Sequence, residues 1–167
     1  MSDLSVAPAG PGDMETIRAL FLEYQQALGV SLCFQGFDKE LATLPGLYEG
    51  PRGTLLLLKD GDAVAGCVGL RPLPDDPQGP VAEMKRLYVR PAHRGRGGGR
   101  RLAEAVIAAA REAGYGRLCL DTLAQMHEAR ALYASLGFHD VPAYYGNPLD
   151  GVRYCALELE PRAARAG

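Results

Sequence analysis

The stretch from Val81 to Ala113 constrains this chain more than any other. An apolar run, VAEMKRLYV, is stopped by Pro91, and a glycine-rich turn, Arg94-Gly-Arg-Gly-Gly-Gly99, leads straight into an alanine-rich segment. The run Val81 to Val89 reads as a strand, and Arg100 to Ala113 sets Leu102, Ala105, Val106 and Ala109 on one stripe of a helix. A strand, a tight turn and a helix in that order aim backbone N–H groups of the turn at one spot, with the positive end of the helix dipole behind them. Such a spot holds a phosphate or pyrophosphate, and glycines there allow close approach and φ > 0.

The turn lies in a charge anomaly. The chain as a whole is near neutral, with 18 Lys and Arg against 20 Asp and Glu. Between Met84 and Arg101 there are seven basic residues (Lys85, Arg86, Arg90, Arg94, Arg96, Arg100 and Arg101) and no acid, which leaves 11 basic against 20 acidic residues elsewhere. A basic knot in an acidic chain suggests a bound anion and argues against a nucleic-acid binder with a basic surface throughout. At 47% apolar and 23% charged, the 167 residues have ordinary globular composition. One domain over residues 1–167 is expected, with a disordered tail from about residue 161.

Around this centre, Leu4 to Ala7 reads as a strand, and Asp13 offers an N-cap for an amphipathic helix from Met14 to Leu28, stopped by Gly29. A short helix follows over Asp38 to Thr43. Two strands, Gly53 to Lys59 and Ala63 to Arg71, flank the hairpin signal Asp60-Gly61-Asp62. The proline-rich Pro72 to Pro80 is a loop. Leu118 to Leu123 is a strand, Met126 to Leu136 a helix ended by Gly137, and Val152 to Leu159 a last strand. The pattern is α/β, of α+β type: a mixed sheet covered by helices.

Three phosphate-binding readings compete on the residues alone. A Walker loop lacks its lysine and hydroxyl, since Arg100 and Arg101 follow Gly99. A dinucleotide loop fits poorly, with G-x-G-G-G from Gly95 to Gly99 and its candidate acid, Asp121, at the end of the next strand. An RGG tract that binds RNA is usually disordered, whereas this one lies between a strand and a helix.

The segment resembles a different signature. Arg94-Gly-Arg-Gly97-Gly-Gly99 is similar to the R/Q-x-x-G-x-G/A motif of the GCN5-related N-acetyltransferases, with Leu87-Tyr-Val89 as the family's L-x-V before it. Ala129-Arg-Ala-Leu132-Tyr133 with Gly137-Phe138 matches the later A-x-x-L-Y and G-F. The opening helix and hairpin fall in the family's order. The resemblance therefore covers nearly the whole chain and implies the GNAT fold, a mostly antiparallel sheet of about six or seven strands flanked by about four helices.

The resemblance also implies roles. Acetyl-CoA would be the co-substrate, its pyrophosphate cradled by the backbone of Arg94, Gly95, Arg96, Gly97, Gly98 and Gly99, with Arg100 beside it. Its pantetheine would lie along the main chain of Leu87, Tyr88 and Val89. Amine acetylation requires a base for the ammonium and an acid for the departing thiolate. Glu83 is the candidate base, with Lys85 and Arg86 as neighbours that could offset its charge, and Tyr133 is the candidate acid. The asparagine that many relatives carry near the start of the last helix is replaced by Met126 or His127, with Thr122 or Gln125 as weak substitutes. The acceptor is expected against Tyr24, Phe34, Arg71, Tyr144, Tyr145 and Asn147.

The reading that follows is an N-acetyltransferase acting on a primary amine of a small molecule or peptide by direct attack in a ternary complex. The alternative is a CoA-binding regulatory or interaction module of the same fold without turnover. Cys33, Cys67, Cys119 and Cys155 form no C-x-x-C pair, so buried thiols are expected rather than zinc or disulfides, and none is placed as an acyl carrier. His93, His127 and His139 are scattered, and no metal is expected. With neither a signal peptide nor an apolar run of about 18 residues, a cytoplasmic protein is expected, with no nucleic-acid or membrane partner; relatives of this kind are often homodimers.

Overall fold

The computed structural model describes residues 3–32, 36–74, 76–77 and 79–159. The strands are β1 (Leu4–Pro8), β2 (Thr54–Asp60), β3 (Ala63–Pro72), β4 (Val81–Val89), β5 (Arg117–Leu123), β6 (His139–Asp140) and β7 (Val152–Glu158). The helices are α1 (Met14–Leu28), α2 (Phe37–Ala42), α3 (Gly98–Glu112) and α4 (His127–Ser135). The strands form one seven-stranded sheet in the order β1-β2-β3-β4-β5-β7-β6. Every neighbouring pair is antiparallel except β4 and β5. This is the expected GNAT-type architecture. The expected tail from residue 161 and the candidate Phe34 lie outside the described residues.

Local chemistry explains most boundaries. Gly29, at φ 71°, ends α1 by donating its N–H to the carbonyls of Gln25 and Gln26. Asp13 stands at the start of α1 but does not cap it; its Oδ2 accepts from the Gly10 N–H at 2.8 Å. β6 has no counterpart in the sequence reading, because two residues, His139 and Asp140, are too few to show alternation. On α3 the buried stripe is Leu102, Ala103, Val106, Ile107 and Ala110, so Ala105 and Ala109 flank the core instead of centring it.

The sheet carries helices on both faces. α3, with Tyr133 and Phe138, closes one core over Leu58, Ala65, Leu70, Met84 and Leu118. On the other face α1 and Phe37 pack Ile17, Leu20 and Phe21 against Leu55, Leu57 and Cys67. Among the described residues no helix is long and apolar enough to cross a membrane.

One irregularity positions the site. On β4, Lys85 lies opposite Gly69 and Tyr88 opposite Cys67, so Arg86 and Leu87 face the single residue Val68. This is a β-bulge, and Arg86 takes φ 62°, rare for a residue with a side chain. The bulge breaks the alternation of side chains, so Lys85 and Arg86 both project to the α1 face, where Arg86 meets Glu40 and the rings of Tyr24 and Phe37. Near it β4 leaves β5. The two strands pair only from Val81–Arg117 to Glu83–Cys119, and a cleft opens beyond.

Candidate active site

A groove of about 560 Å³ runs from the glycine turn along this cleft, lined by Leu87, Tyr88, Val89, Gly97, Met126 and Leu132 among others. The glycines at its head have separate duties. Gly95 and Gly97 both sit at φ 80°, and a Cβ on either would meet nothing within 4 Å, so the space before the turn is open. Gly98 is buried because α3 packs on the sheet there; a Cβ would come within 2.5 Å of Leu58 Cδ2. The first intrahelical bond is Arg101 N–H to Gly97 O, which leaves the amides of Gly98, Gly99 and Arg100 free of intrahelical partners. The Arg94 N–H is engaged with the Pro91 carbonyl, so the open part of the turn begins at Gly95.

The strand edge follows the same logic. Arg90 N–H bonds Ala65 O on β3, and by strand alternation Leu87 and Val89 turn their peptide groups the other way, into the cleft. The carbonyl of Val89 accepts from Arg94 Nε at 2.8 Å, so an occupant of the edge competes with that side chain. These residues fit the pyrophosphate and pantetheine of coenzyme A: an open amide cradle, then a free strand edge that an extended chain of amides can pair with.

The basic knot divides. Arg86 forks onto Glu40, Arg90 onto Glu23, and Arg96 onto Asp60, which His93 also contacts. Lys85 reaches Glu83 and Asp121. These four hold the fold together, and only the main chain of Arg96 belongs with the turn. Arg94 remains at the groove, over the Tyr88 ring, while Arg100 bonds Ser135 Oγ outside the lining.

Glu83 is almost fully buried, at 1% exposure, yet it is well partnered. Arg71 holds Oε1 at 2.9 Å, Tyr144 donates to Oε2 at 2.6 Å, and Lys85 Nζ is 3.9 Å from Oε2. The expected partner Arg86 instead serves Glu40, because the bulge sends it toward α2. Arg71, Glu83, Tyr144 and Tyr145 line a second cavity of about 560 Å³, walled by Leu73, Pro74, Val81, Cys119, Val141 and Pro142. Burial pushes the Cys119 thiol up to about 11, and that of Cys67 up as well, so both are poor nucleophiles at neutral pH.

Tyr133 packs edge-on against Phe138 in the α3-side core, and its hydroxyl makes no hydrogen bond among the described residues. Burial raises its pKa, so the phenol keeps its proton. It lines a cavity of about 50 Å³ together with Lys85, Leu87, Asp121 and Met126. That cavity shares Tyr24, Leu87, Met126 and Ala129 with the long groove and lies at its inner end. Glu83 is absent from its lining.

Between Glu83 and the inner cavity stands Asp121, which the sequence reading weighed only as the acid of a dinucleotide loop. Asp121, on β5 just past the point of separation, accepts from Asn147 Nδ2 at 3.1 Å, from the Tyr145 hydroxyl, and from Lys85 Nζ at 3.5 Å. Burial opposes its ionisation, but Lys85, Tyr145 and Asn147 outweigh burial and lower its pKa. Tyr145 and Asn147 thus both bond Asp121, with Tyr145 also lining the pocket by Glu83, and Tyr24 lines the groove and the inner cavity rather than that pocket. The sequence showed an acid at the end of the strand after the glycine turn, and the β4–β5 register, with Glu83 opposite Cys119, is what puts Asp121 next on that face.

Known proteins resemble this chain in sequence and in fold. Residues 16–138 match the model of the acetyltransferase (GNAT) family. An uncharacterized N-acetyltransferase of Schizosaccharomyces pombe is 40% identical over 151 residues, covering 89% of this chain and 90% of that protein. Another, YjgM of Escherichia coli, is 31% identical over 131 residues, covering 78% and 77%. Among solved structures, a GNAT-family acetyltransferase of Staphylococcus aureus superposes with TM-score 0.75 at 18% identity over 95% of this chain and all of that one. The Salmonella typhimurium protein yncA, solved with its cofactor acetyl-CoA, gives TM-score 0.68 at 22% identity over 96% of each chain. The chain belongs to the GNAT family of N-acetyltransferases.

Proposed function

We propose that the protein transfers an acetyl group from acetyl-CoA to a primary amine of a small molecule or peptide, by direct attack in a ternary complex. The observation that carries this is the cleft between β4 and β5, headed by open amides and ended by a buried phenol. When bound, acetyl-CoA supplies an activated acyl group as a thioester. The amides from Gly95 to Arg100 receive the pyrophosphate, Arg94 adds positive charge, and the edge of Leu87 and Val89 pairs the pantetheine.

The acceptor is held by the pocket of Arg71, Tyr144 and Tyr145, and its ammonium reaches in to the thioester at the inner cavity. Glu83 is the final acceptor of its proton. Tyr133 donates a proton at the inner cavity, where the sulfur leaves. Among the described residues the thiols of Cys67, Cys119 and Cys155 are all raised and stay protonated, so none of the three is primed to carry the acyl group, which supports the ternary complex; Cys33 lies outside the described residues.

The test is a panel of primary amines assayed for acetyl-CoA-dependent CoA release, beside a thermal shift with CoA. Acetylation of at least one amine, with stabilisation by CoA, is expected. Stabilisation without turnover on any amine would instead identify a CoA-binding module, and no stabilisation at all would remove both readings.

A further inference from the structure

Glu83 faces the outer pocket, whereas Tyr133 faces the inner cavity, and a proton acceptor in one place cannot reach a nitrogen in the other without an intermediary. We propose that Asp121 and Lys85 are that intermediary, a relay that carries the acceptor's proton from the inner cavity to Glu83. This inference rests on the transferase reading above.

The groups stand in order. Asp121 lines the inner cavity with Tyr133. Lys85 Nζ lies 3.5 Å from Asp121 Oδ1 and, at 3.9 Å, in ion-pair range of Glu83 Oε2, so one ammonium stands between the two carboxylates and passes a proton on by turning toward Glu83. Its side chain is 3% exposed, which excludes bulk water as the alternative path at this point. Each carboxylate also has a phenol from the segment between β6 and β7, Tyr144 on Glu83 and Tyr145 on Asp121, which fixes the orientation of both.

The proton count closes. An N–H bond of the acceptor ammonium breaks as an O–H bond forms on Asp121; Lys85 gives a proton to Glu83 and is restored by the proton on Asp121. The net change is one proton moved from the acceptor nitrogen to Glu83, with Lys85 and Asp121 unchanged. Such a relay needs an amine that can lose its proton. Burial lowers the pKa of Lys85 in spite of the opposing pull of Glu83 and Asp121, and Arg86 and Arg71 push the same way as burial. The Tyr145 ring faces Nζ at 6.0 Å, and Tyr24 and Tyr133 line the same cavity.

Lys85→Arg separates a relay from a mere counter-ion, because guanidinium keeps the charge but does not deprotonate. In the full chain this variant should hold acetyl-CoA within about threefold of wild type and lose roughly 100-fold in kcat, the usual scale of general acid–base catalysis. A variant that keeps a third or more of kcat overturns the relay. An independent readout needs no turnover: 15N NMR of the Lys85 side chain should show titration below the ordinary lysine range. Glu83→Gln and Asp121→Asn should each move it lower still, since each removes a negative neighbour. A Lys85 titration that ignores either substitution overturns the relay even if Lys85→Arg does not fold. Wild-type protein that binds acetyl-CoA yet acetylates no amine overturns the transferase reading, and the relay with it.

Discussion

Tyr144 donates its hydroxyl to Glu83 Oε2 at 2.6 Å while Arg71 holds Oε1 from the opposite side at 2.9 Å. The carboxylate is thereby fixed between a neutral donor and a cation, and the two partners should be separable by mutation. Tyr144→Phe removes a hydrogen bond to a charged, buried group and should cost about 2 kcal/mol of stability, with a raised KM for the acceptor. Glu83→Gln keeps the size of the side chain and should lower kcat by about 100-fold or more with CoA affinity unchanged. Steady-state kinetics and denaturant unfolding on both variants test the distinction. Equal kcat in Glu83→Gln and wild type would sink the role given to Glu83.

Tyr133 offers the converse case, a buried phenol whose hydroxyl has no hydrogen-bond partner among the described residues. Its ring packs on Phe138, and Tyr133→Phe preserves that contact. The variant should melt within about 1 °C of wild type, since no ΔΔG of consequence is involved. Turnover should fall by about 100-fold, the loss of one positioned acid. Because burial raises the pKa of this group, the donor form persists above its ordinary value of 10. No alkaline loss of kcat assigned to Tyr133 should therefore appear below that pH. A melting temperature that drops in step with activity would show a packing residue only.

Adjacent glycines should give opposite phenotypes. Gly97, at φ 80° with open space before it, tolerates a methyl sterically but strains the backbone, at a cost of roughly 1 kcal/mol. Gly97→Ala also fills the amide cradle, so its main effect should be on CoA affinity. Gly98 faces Leu58, and Gly98→Ala must displace that buried side chain, an overpacking cost of about 1–3 kcal/mol. Isothermal titration with CoA beside thermal unfolding distinguishes them. Two variants with the same ratio of affinity loss to stability loss would contradict this division.

The sequence made the order of elements legible wherever a residue forces a change of direction. Pro91 and the glycines fix the turn, Gly29 ends α1, and Asp60-Gly61-Asp62 sets the hairpin. The bulge on β4 was invisible because Arg86 in a left-handed conformation has no local signature; tertiary packing of Arg86 against Glu40 and Phe37 holds it. That one feature, close to where β4 leaves β5, sends Arg86 away from Glu83, whereas Lys85 reaches the space between Glu83 and Asp121 by the ordinary two-residue alternation from Glu83. The basic cluster was visible, but which of its members meet solvent depends on Glu23, Glu40, Asp60 and Asp121, each from a distant segment.

Two arginines of one turn illustrate the same point as a prediction. Arg94 is exposed at the groove, and Arg94→Ala should weaken CoA binding several-fold, by an amount that shrinks as salt rises. Arg96 is held by Asp60, 36 residues away, and Arg96→Ala should reduce stability by about 1 kcal/mol while CoA affinity changes little. Titrations of CoA at low and high salt decide the matter. A larger affinity loss in Arg96→Ala than in Arg94→Ala would reverse the assignment.

The Arg86–Glu40 pair should dominate the acid sensitivity of the fold. Burial opposes ionisation of Glu40, but the guanidinium of Arg86 bonds both of its oxygens, Tyr48 donates to Oε2 at 3.0 Å, and Arg71 adds charge; the net effect is a lowered pKa. A carboxylate with a folded pKa below its unfolded value of 4.5 stabilises fully above that pH, and the contribution is lost as pH falls through the folded value. Wild-type stability should accordingly decline below about pH 4.5, and Glu40→Gln should be less stable at pH 7 by about 3–5 kcal/mol, because Arg86 is left buried without its counter-charge. The gap between the two proteins should narrow toward pH 3, where wild-type Glu40 also becomes neutral. Asp121 adds an acid-labile contribution of the same sign, so the variant keeps a shallower slope rather than none. Urea unfolding at pH 7, 4.5 and 3 measures the gap directly, and a gap that stays constant across that range would show that the pair contributes through packing and not through charge.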